Sequence, residues 1–383
     1  MNQQGNIRTF QSRATDTRLA VQEFHAGVVQ PEMALVLFFC SSHFDLELLA
    51  TEMRCLFVGV RVVGCTTSGE IGPSGYCEHS LTGASFPAGS FAAVSGLLPH
   101  LQAFNISAGK GFAQLLLQEL ESHAPGANVS NSFGLMLVDG LSIREESVAH
   151  AFQRGLGEIP VFGGSAGDDL AFKRTRVYVD GEFHADSAAL VLVSTALPFH
   201  IFKTQHFVAS GVRLVVTEAD VSRRIVNEIN GLPAAAEYAR LVGVDSNDLN
   251  PMRFAASPVV VKIGGTDYVR SIQKANADGS LTFYCAIEAG LVLRLAQGVD
   301  MLKTLEQTFA DIRQCVGEPQ LVLGCDCILR NLELAQTGQK EHVGEIFKLN
   351  HMLGFNSYGE QYLGVHVNQT LTGVAIGTGV RDV

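Results

Sequence analysis

Charged side chains are scarce in this chain of 383 residues, where Asp, Glu, Lys and Arg make up only 17%. Ordinary globular domains carry about 25%. Apolar residues make up 47%, and the mean hydropathy is +0.20. This composition excludes a disordered chain and a long coiled coil, and it predicts a globular protein with a large interior. At roughly 150 residues per domain, the length suggests two or three domains.

Basic residues are also in deficit, because 27 Lys and Arg face 38 Asp and Glu, which gives 27 − 38 = −11. Such a chain repels polyphosphates on average, so nucleic acid is excluded as the expected partner. The densest basic group is Lys173, Arg174 and Arg176. We interpret it as the solvated entrance to a strand.

No long apolar run is present. The longest uncharged stretch, residues 187–202, contains Ser, Thr, Pro and His and is too short for a bilayer span. The first ten residues lack the apolar core of a secretory signal. We therefore expect a cytoplasmic protein without a membrane partner.

Motifs for tightly bound metals are missing. None of the eight cysteines forms a C-x-x-C pair, which excludes a zinc ribbon, a thioredoxin-type site and covalent c-type haem attachment. The 12 histidines include no H-E-x-x-H cluster. The cysteines are expected to be reduced thiols, most of them buried.

Two strand–helix–strand units are indicated in the first half. An apolar run at residues 33–40 is followed by an amphipathic stretch at 44–57, which Ser42 and Asp45 can cap, and by a second apolar run at 60–65. The second unit has strands at 133–138 and 161–162 around a helix at 144–155. Each unit ends in a loop of small residues, and ligands of open α/β sheets bind at such strand ends.

Turn residues predict the remaining connections. Residues 81–86 and 91–98 are predicted to form a hairpin across Pro87 and Gly89, and Asp180-Gly181 a second, tight one. Asn230-Gly231-Leu232-Pro233 is the strongest break in the middle of the chain. Beyond it, strands are predicted from residue 259 onward, and helices at 300–316 and 341–353. We expect an α/β protein of two domains with mixed β-sheets flanked by helices, one sheet system in each half.

Ser165 lies in a Gly-x-Ser-x-Gly pattern at residues 163–167, which is typical of the nucleophile elbow of hydrolases. The elbow requires a helix directly after the serine, whereas Gly167-Asp168-Asp169 predicts a loop. The alternative is a glycine-rich loop that binds a ligand or packs closely. An esterase is kept as the less favoured hypothesis.

Polar residues at the ends of predicted strands are the candidates for binding a small ligand. Arg330 can pair with a carboxylate or phosphate, but it can equally pair with Glu360 or a local partner. Cys325 would be reactive only beside a cation. The candidate set is Thr66, Thr67, Ser68, Gly163, Gly164, Ser165, Asp168, Arg330, Glu360 and Asn368.

Three histidines are candidates for a single axial ligand to haem iron. A strand predicted over residues 199–207 places His200 and His206 on one face, about 20 Å apart. They cannot share one metal ion, but either could be the proximal imidazole of a haem. His184, beside Phe183, is the third candidate. For each of them an ordinary structural role is the alternative.

Six segments together resemble the FIST sensory family, which has an N-terminal and a C-terminal FIST domain. Each segment alone is weak, but their order spans nearly the whole chain. They are residues 63–71, 161–169, 230–234, 325–330, 354–360 and 366–370. The resemblance implies a lead segment at residues 1–30, a FIST N-terminal domain at 31–230 and a FIST C-terminal domain at 231–383.

The resemblance further implies a sensory protein without catalysis of its own. Overall similarity points to the branch that binds non-covalent b-type haem, senses nitric oxide and regulates a partner histidine kinase, and through it cyclic-di-GMP output and biofilm behaviour. Iron would then be held by His184, His206 or His200. The alternative is a FIST sensor of an amino acid or other small metabolite. The sequence leaves a homo-oligomer open, and since it contains no Trp, haem uptake would have to be followed by absorbance.

Overall fold

The computed structural model describes residues 6–379, which form two compact units. The first unit comprises the described residues up to 203, residues 306–365 and the described residues from 371 onward. The second comprises residues 204–305 and 366–370. In chain order, the second unit thus falls between two parts of the first.

The elements fall into three stretches. Up to residue 204 they are β1 (Arg8–Ser12), α1 (Thr17–Val28), β2 (Met33–Ser41), α2 (Leu46–Leu56), β3 (Val62–Thr67), β4 (Glu70–Gly72), β5 (Gly75–Cys77), β6 (Leu81–Pro87), β7 (Phe91–Leu98), α3 (Ile106–His123), β8 (Ser132–Val138), α4 (Glu145–Leu156), β9 (Val161–Ser165), β10 (Val177–Val179), β11 (Glu182–His184), β12 (Ala188–Thr195) and β13 (Phe199–Thr204). The middle stretch contains β14 (Phe207–Asp220), β15 (Ile225–Ile229), β16 (Leu232–Pro233), α5 (Ala234–Val242), α6 (Pro251–Ala256), β17 (Val259–Ile263), β18 (Thr266–Arg270), β19 (Ile272–Ala275), β20 (Leu281–Phe283) and β21 (Val292–Gly298). The last stretch contains α7 (Met301–Val316), β22 (Pro319–Cys327), α8 (Ile328–Gln336), α9 (Lys340–Leu349), β23 (Met352–Ser357), β24 (Glu360–Tyr362), β25 (Val365–Val367) and β26 (Leu371–Gly377).

One pattern occurs three times in the first unit: a strand, a helical connection, a parallel strand, a short hairpin and a final antiparallel strand. We call these copies repeats 1, 2 and 3. Repeat 1 runs from β2 to β6, repeat 2 from β8 to β12, and repeat 3 from β22 to β26. An edge strand precedes each repeat in the chain, namely β1, β7 and β13.

The short hairpin of each repeat pairs with a strand of another repeat. Sheet I has the order β1-β6-β2-β3-β10-β11, sheet II β7-β12-β8-β9-β24-β25, and sheet III β13-β26-β22-β23-β4-β5. The hairpin of repeat 2 therefore completes the sheet of repeat 1, that of repeat 3 the sheet of repeat 2, and that of repeat 1 the sheet of repeat 3. The three sheets are linked in a closed cycle.

A glycine at the same position of each repeat allows the two parallel strands to approach. Gly64 pairs with Phe38, Gly163 with Met136 and Gly354 with Gly324. A Cβ atom on these glycines would lie 2.4, 1.9 and 1.8 Å, respectively, from the carbonyl oxygen of the paired residue. No side chain can be accommodated at such distances. Glycine is therefore required at these three positions, because the backbone of the neighbouring strand lies too close for a Cβ atom.

The apolar strands are buried on both faces, which explains their nearly continuous hydrophobic runs. In β2, Leu35, Leu37 and Phe39 enter a central cluster that also contains residues of sheets II and III. Val36 and Phe38 point the opposite way and pack with buried residues of α1 and α2. The central cluster therefore lies between the three sheets, with helices on the outer face.

The second unit has its own core beneath one sheet, in the order β18-β17-β21-β14-β15-β20-β19, with β16 on β15. Residues 366–370 belong to it: Arg270 donates to the carbonyl of His366 at 2.9 Å, and Ser271 donates to Gln369 Oε1 at 2.9 Å. The predicted break at residues 230–233 lies inside this unit, where Asn230 and Gly231 form the turn between β15 and β16.

Several predictions are confirmed. The chain is a mixed α/β protein with helices against the sheets, and both βαβ units are present. Asp180 and Gly181 have φ values of 54° and 89° and form the predicted tight hairpin. All eight cysteines are free, and five of them are buried. Asp45 is the residue that caps α2.

Three predictions are wrong. Residues 81–98 do not form a hairpin, because the turn after Pro87 carries the chain from sheet I to sheet II, and Phe86 and Phe91 pack edge to face in the core at 5.3 Å. The strand predicted over residues 199–207 is divided, since β13 ends at Thr204 and β14 begins at Phe207. The described residues contain four sheets where two were expected. No helix in residues 6–379 is long and apolar enough to cross a membrane.

Candidate functional site

The ends of the second strands of all three repeats meet in the first unit. Their backbones are joined directly, which places loops distant in sequence side by side. The hydrogen bonds run from Ser68 N to Asn356 O at 3.0 Å, from Asn356 N to Gly69 O at 2.8 Å, from Gly167 N to Thr66 O at 3.0 Å and from Ser165 N to Gly359 O at 2.8 Å. The small-residue loops predicted to bind a ligand are therefore brought together.

Glu70 is completely buried beside this junction. Its Oε2 accepts hydrogen bonds from Ser80 N at 2.9 Å and from Ser80 Oγ at 2.7 Å, and its Oε1 contacts Thr67 Oγ1. Burial raises the pKa of this carboxyl to about 7, although the hydrogen bonds from Thr67 and Ser80 oppose the rise. Repeat 3 has the same arrangement at Glu360, whose Oε1 accepts from Ser357 Oγ at 2.6 Å.

Arg330 is fully buried, and its partner is Asp326, one helical turn earlier. The Arg330 Nε donates to Asp326 Oδ1 at 2.7 Å. Tyr76 donates from its hydroxyl to the other carboxylate oxygen at 2.6 Å. Of the two roles considered for Arg330, pairing with a local residue is the one observed, with Asp326 in place of Glu360. A ligand carboxylate therefore has no access to this guanidinium.

A chain of side-chain hydrogen bonds continues from Asp326 to Asn331. Asn356 Nδ2 points at Asp326 Oδ2 at 3.4 Å, and Asn356 Oδ1 accepts from Asn331 Nδ2 at 3.0 Å. The carboxylate can only accept, so this chain fixes the orientation of both amides. Asn331 Oδ1 is left without a hydrogen-bond partner among residues 6–379, although Asn331 is only 6% exposed.

Asp168 organises the loop that follows β9. Its carboxylate accepts hydrogen bonds from the backbone N–H groups of Phe172, Lys173 and Arg174 at 2.9, 2.7 and 2.6 Å. The Tyr358 hydroxyl also donates to it, and the Tyr358 ring stacks on Phe172 at 4.6 Å. Asp168 is 3% exposed, so its role is to shape this loop.

A cavity of about 410 Å³ opens beside the meeting loops, and we call it the junction cavity. All three repeats contribute to its wall, and its residues lie at or beyond the carboxyl ends of the parallel strands. Its lining consists of His43, Ser68, Glu78, His79, Asp169, Leu170, Ala171, Ile328, Asn331, Leu332, Ala335 and Lys340. The wall is therefore mostly apolar on α8, where Asn331 is the polar exception, and mostly polar or charged elsewhere.

The charged groups of the junction cavity lie close together. Lys340 Nζ lies 2.9 Å from Glu78 Oε1. His43 Nδ1 lies 3.0 Å from both His79 Nδ1 and Asp169 Oδ2. Burial raises the pKa of the Asp169 carboxyl, against the opposing effect of the two histidines. The cavity can therefore present both an acceptor and cationic groups to a small ligand.

The predicted ligand-binding residues have different locations. Ser68 lines the junction cavity, and Asn368 lies in the second unit, where its Oδ1 is 3.5 Å from Ser271 N. The others do not line the cavity. Those with side chains are buried in the core around it: Thr66, Thr67, Ser165, Asp168, Arg330 and Glu360. Gly163 and Gly164 allow close packing, since a Cβ on Gly164 would lie 2.8 Å from the ring of Phe355.

Ser165 lacks the geometry of a nucleophile elbow. No helix follows it directly, and its hydroxyl accepts a hydrogen bond from Gln361 Nε2 at 3.0 Å. The residue is completely buried. The segment is therefore a glycine-rich loop that packs closely, which was the alternative interpretation of this motif.

The three histidine candidates for haem iron lie on β11, on β13 and between β13 and β14. His206 is 1% exposed and packs on Phe207, with ring centroids 4.2 Å apart. His184 directs Nε2 at the carbonyl of Val179 at 3.3 Å. Burial lowers the pKa of His200, which lies on the edge strand β13. Cavities of about 410, 500 and 280 Å³ occur in the described residues, and none of these three is lined by any of the candidates. Haem binding at one of these imidazoles therefore stays a prediction.

Six polar residues of the junction cavity were not singled out from the sequence, namely His43, Glu78, His79, Asp169, Asn331 and Lys340. His43 and His79 are 36 positions apart, and no motif spacing connects them. Asp169 was noted only as part of an acidic pair. The signal available in the sequence was the position of these residues beyond the carboxyl ends of strands. That position predicts a shared site only when the strands are known to be neighbours.

Residues 34–232 match the FIST N domain family, and residues 234–363 match the FIST C domain family. The chain belongs to the FIST family. FIST domains are sensory and signalling domains, and the two matches meet close to the predicted domain break at residue 230. The compact units of this FIST protein divide the chain elsewhere, after residues 203 and 305.

Two further comparisons are limited. No curated protein matches this FIST chain. A solved structure described as "Cyanuric acid hydrolase: evolutionary innovation by structural concatenation" is 10% identical, covers 97% of this chain and 99% of its own length, and has a TM-score of 0.33.

Proposed function

We propose that this FIST protein is a sensor of a small zwitterionic metabolite, with a free amino acid as the ligand class, and that the ligand binds in the junction cavity. The observation that carries the proposal is the carbonyl oxygen of Asn331. It is buried, held in orientation by the chain of hydrogen bonds from Asp326, and has no hydrogen-bond partner in the part of the chain that the structure describes. A buried acceptor without a partner costs about 1–3 kcal/mol, which a ligand N–H can recover.

The rest of the wall complements such a ligand. An ammonium group can donate to Asn331 Oδ1, and a carboxylate can pair with Lys340, which is now shared with Glu78. Ile328, Leu332 and Ala335 offer an apolar surface for a side chain. The volume of about 410 Å³ lies in the range of roughly 300–1,000 Å³ that is common for small-molecule sites.

The same geometry supports a sensory role. The wall combines His43 and Ser68 of repeat 1, Asp169 in the loop after β9 of repeat 2, and Asn331 of repeat 3. A ligand in contact with all of them stabilises one arrangement of the repeats over others. Such a difference in affinity is what a sensor needs in order to change its signal to a partner.

The test is a thermal-shift screen of the common amino acids against the purified full chain. A true ligand raises the melting temperature, and the shift grows with ligand concentration. Ala335→Trp fills the cavity from the exposed face of α8 and should abolish the shift. Gln336→Trp, at the next exposed position of the same helix, does not line the cavity and is the matched control. Equal shifts in both variants would refute the proposed site, and no shift with any amino acid would refute the ligand class.

The narrower prediction, a b-type haem sensor of nitric oxide that regulates a histidine kinase from the cytoplasm, rests on the family resemblance. It carries a separate test. Hemin is added to the protein, and a Soret band that shifts with nitric oxide and is lost in one of His184→Ala, His200→Ala or His206→Ala would support it. If no Soret band appears, the haem hypothesis fails and the junction cavity stays the proposed sensory site.

A further inference from the structure

We infer that His43, His79 and Asp169 bind one divalent first-row transition-metal ion at the rim of the junction cavity, and that this ion takes part in holding the metabolite. The second half of this inference rests on the proposed function, whereas the metal site itself does not. The three residues offer two imidazole nitrogens and one carboxylate oxygen, and their ligand atoms all lie within 4.8 Å of one another.

Two of the three distances between ligand atoms fit a metal ion placed between them, and all three atoms lie within 4.8 Å of one another. His43 Nδ1 is 3.0 Å from His79 Nδ1 and 3.0 Å from Asp169 Oδ2. Bonds of 2.0–2.2 Å at tetrahedral or octahedral angles separate neighbouring ligand atoms by about 2.8–3.6 Å. The rings of His43 and His79 meet edge to face at 4.2 Å, so their Nδ1 atoms face each other.

Hydrogen bonds alone do not satisfy all the polar atoms of His43, His79 and Asp169. His43 Nδ1 also lies 3.2 Å from Ser41 Oγ, so one ring nitrogen has three polar neighbours. A neutral imidazole nitrogen carries either one proton or one lone pair and cannot serve three partners well. A cation between the nitrogens and the carboxylate removes this conflict.

The partner-free acceptor is an independent sign that something binds here. Asn331 is only 6% exposed and lines the same cavity, and none of the described residues forms a hydrogen bond with its Oδ1. Three protein ligands leave open coordination positions, as in metal sites that bind a further molecule. His43 and His79 are exposed, so the open positions are accessible from the cavity. An α-amino acid has an amine and a carboxylate suited to occupying two of these positions.

The chemistry of the donors selects the class of ion. Two imidazoles with one carboxylate suit Zn²⁺, Fe²⁺, Co²⁺ or Ni²⁺ better than Ca²⁺ or Mg²⁺, which prefer oxygen ligands. Co²⁺ is a suitable probe because its visible absorption reports coordination by nitrogen. Zn²⁺ binding can be followed by calorimetry.

The experiment treats the full chain with a chelator and titrates it with Co²⁺ and Zn²⁺ in the absence of any metabolite. One ion should bind per chain, and the double variant His43→Ala/His79→Ala should lose at least about tenfold in affinity. Asp169→Asn should weaken binding while keeping the volume of the side chain. His150→Ala, an exposed histidine on α4, is the matched control and should leave the affinity unchanged.

The outcomes separate this inference from the proposed function. A chain that binds no ion, or a double variant that binds like the parent at an unchanged melting temperature, overturns the metal site. If the ion binds but the amino-acid shift is the same with and without chelator, the ion has no role in ligand binding. If the ion binds and no amino acid shifts the melting temperature, the metal site stands and the proposed ligand class fails.

Discussion

Tyr76 donates a hydrogen bond of 2.6 Å to Asp326, a residue 250 positions further along the chain. Tyr76 belongs to the short hairpin of repeat 1, and Asp326 lies in the first strand of repeat 3. The opposite oxygen of Asp326 accepts from Arg330 at 2.7 Å. The Tyr76 hydroxyl therefore donates to a carboxylate that is paired with Arg330. This hydrogen bond holds the hairpin of repeat 1 in the sheet of repeat 3.

Tyr76→Phe should lower the free energy of unfolding by about 1.5–3 kcal/mol, because a hydrogen bond to a buried charged group is lost. Urea denaturation measures this change. Tyr178→Phe is the control, since the Tyr178 ring is buried and the structure gives its hydroxyl no hydrogen bond among the described residues; an effect within about 0.5 kcal/mol is expected. Equal losses in the two variants would show that the contact to Asp326 contributes nothing.

Glu70 should make stability depend on pH. Burial raises its pKa from the ordinary value of 4.5 to about 7. The folded state therefore prefers the protonated acid: this contribution to stability is complete below pH 4.5 and is lost as the pH rises through 7. The difference corresponds to about 3 kcal/mol between these limits.

Glu70→Gln should remove most of that pH dependence. The amide NH2 of a glutamine at residue 70 can donate to Thr67 Oγ1, which then donates to Cys40 O, while the amide oxygen accepts from Ser80. Unfolding free energies measured from pH 4.5 to 8 would give a flatter curve than the parent. Glu121→Gln, on the exposed face of α3, should leave the curve unchanged. A parent-like slope in Glu70→Gln would contradict the assignment.

Gly163→Ala should destabilise the protein by about 3 kcal/mol or more. Its Cβ would lie 1.9 Å from the carbonyl oxygen of Met136, and two paired strands would have to separate to admit it. Gly89→Ala is the comparison, because nothing lies within 4 Å of a Cβ there and its φ is not positive. A thermal melt of both variants suffices; similar melting temperatures would refute the close-approach argument.

The thiols should fall into separate kinetic classes when the native protein reacts with a thiol reagent. Cys55 and Cys315 are exposed and should react first, and Cys77 is half-buried and should follow. The other five thiols should wait for unfolding. Burial raises the pKa of Cys40, Cys65 and Cys325, which lowers their thiolate content further. The double variant Cys55→Ser/Cys315→Ser should lose the fast phase, and a fast phase that persists would place an interior thiol at the surface.

The local pattern of the sequence was sufficient for many elements. The apolar run of β2, the cap at Asp45 and the Asp180-Gly181 turn depend on neighbours within a few residues, so they could be predicted. The shared arrangement of repeats 1 and 3 was also visible in principle: Gly64, Glu70 and Gly83 recur with the same spacing as Gly354, Glu360 and Gly373. That regularity predicts two copies of one unit.

By itself the sequence determined most of the segments that form strands and helices and the family to which the chain belongs. Only the tertiary structure decided that each hairpin leaves its own repeat and that His43, His79, Asp169 and Asn331 line one cavity. Hydrophobic periodicity indicates whether one face of a strand is buried, but it does not indicate which other element covers that face. Which strand pairs with an edge strand depends on packing between segments that are more than 100 residues apart in the chain. Every site formed between repeats depends on the same packing.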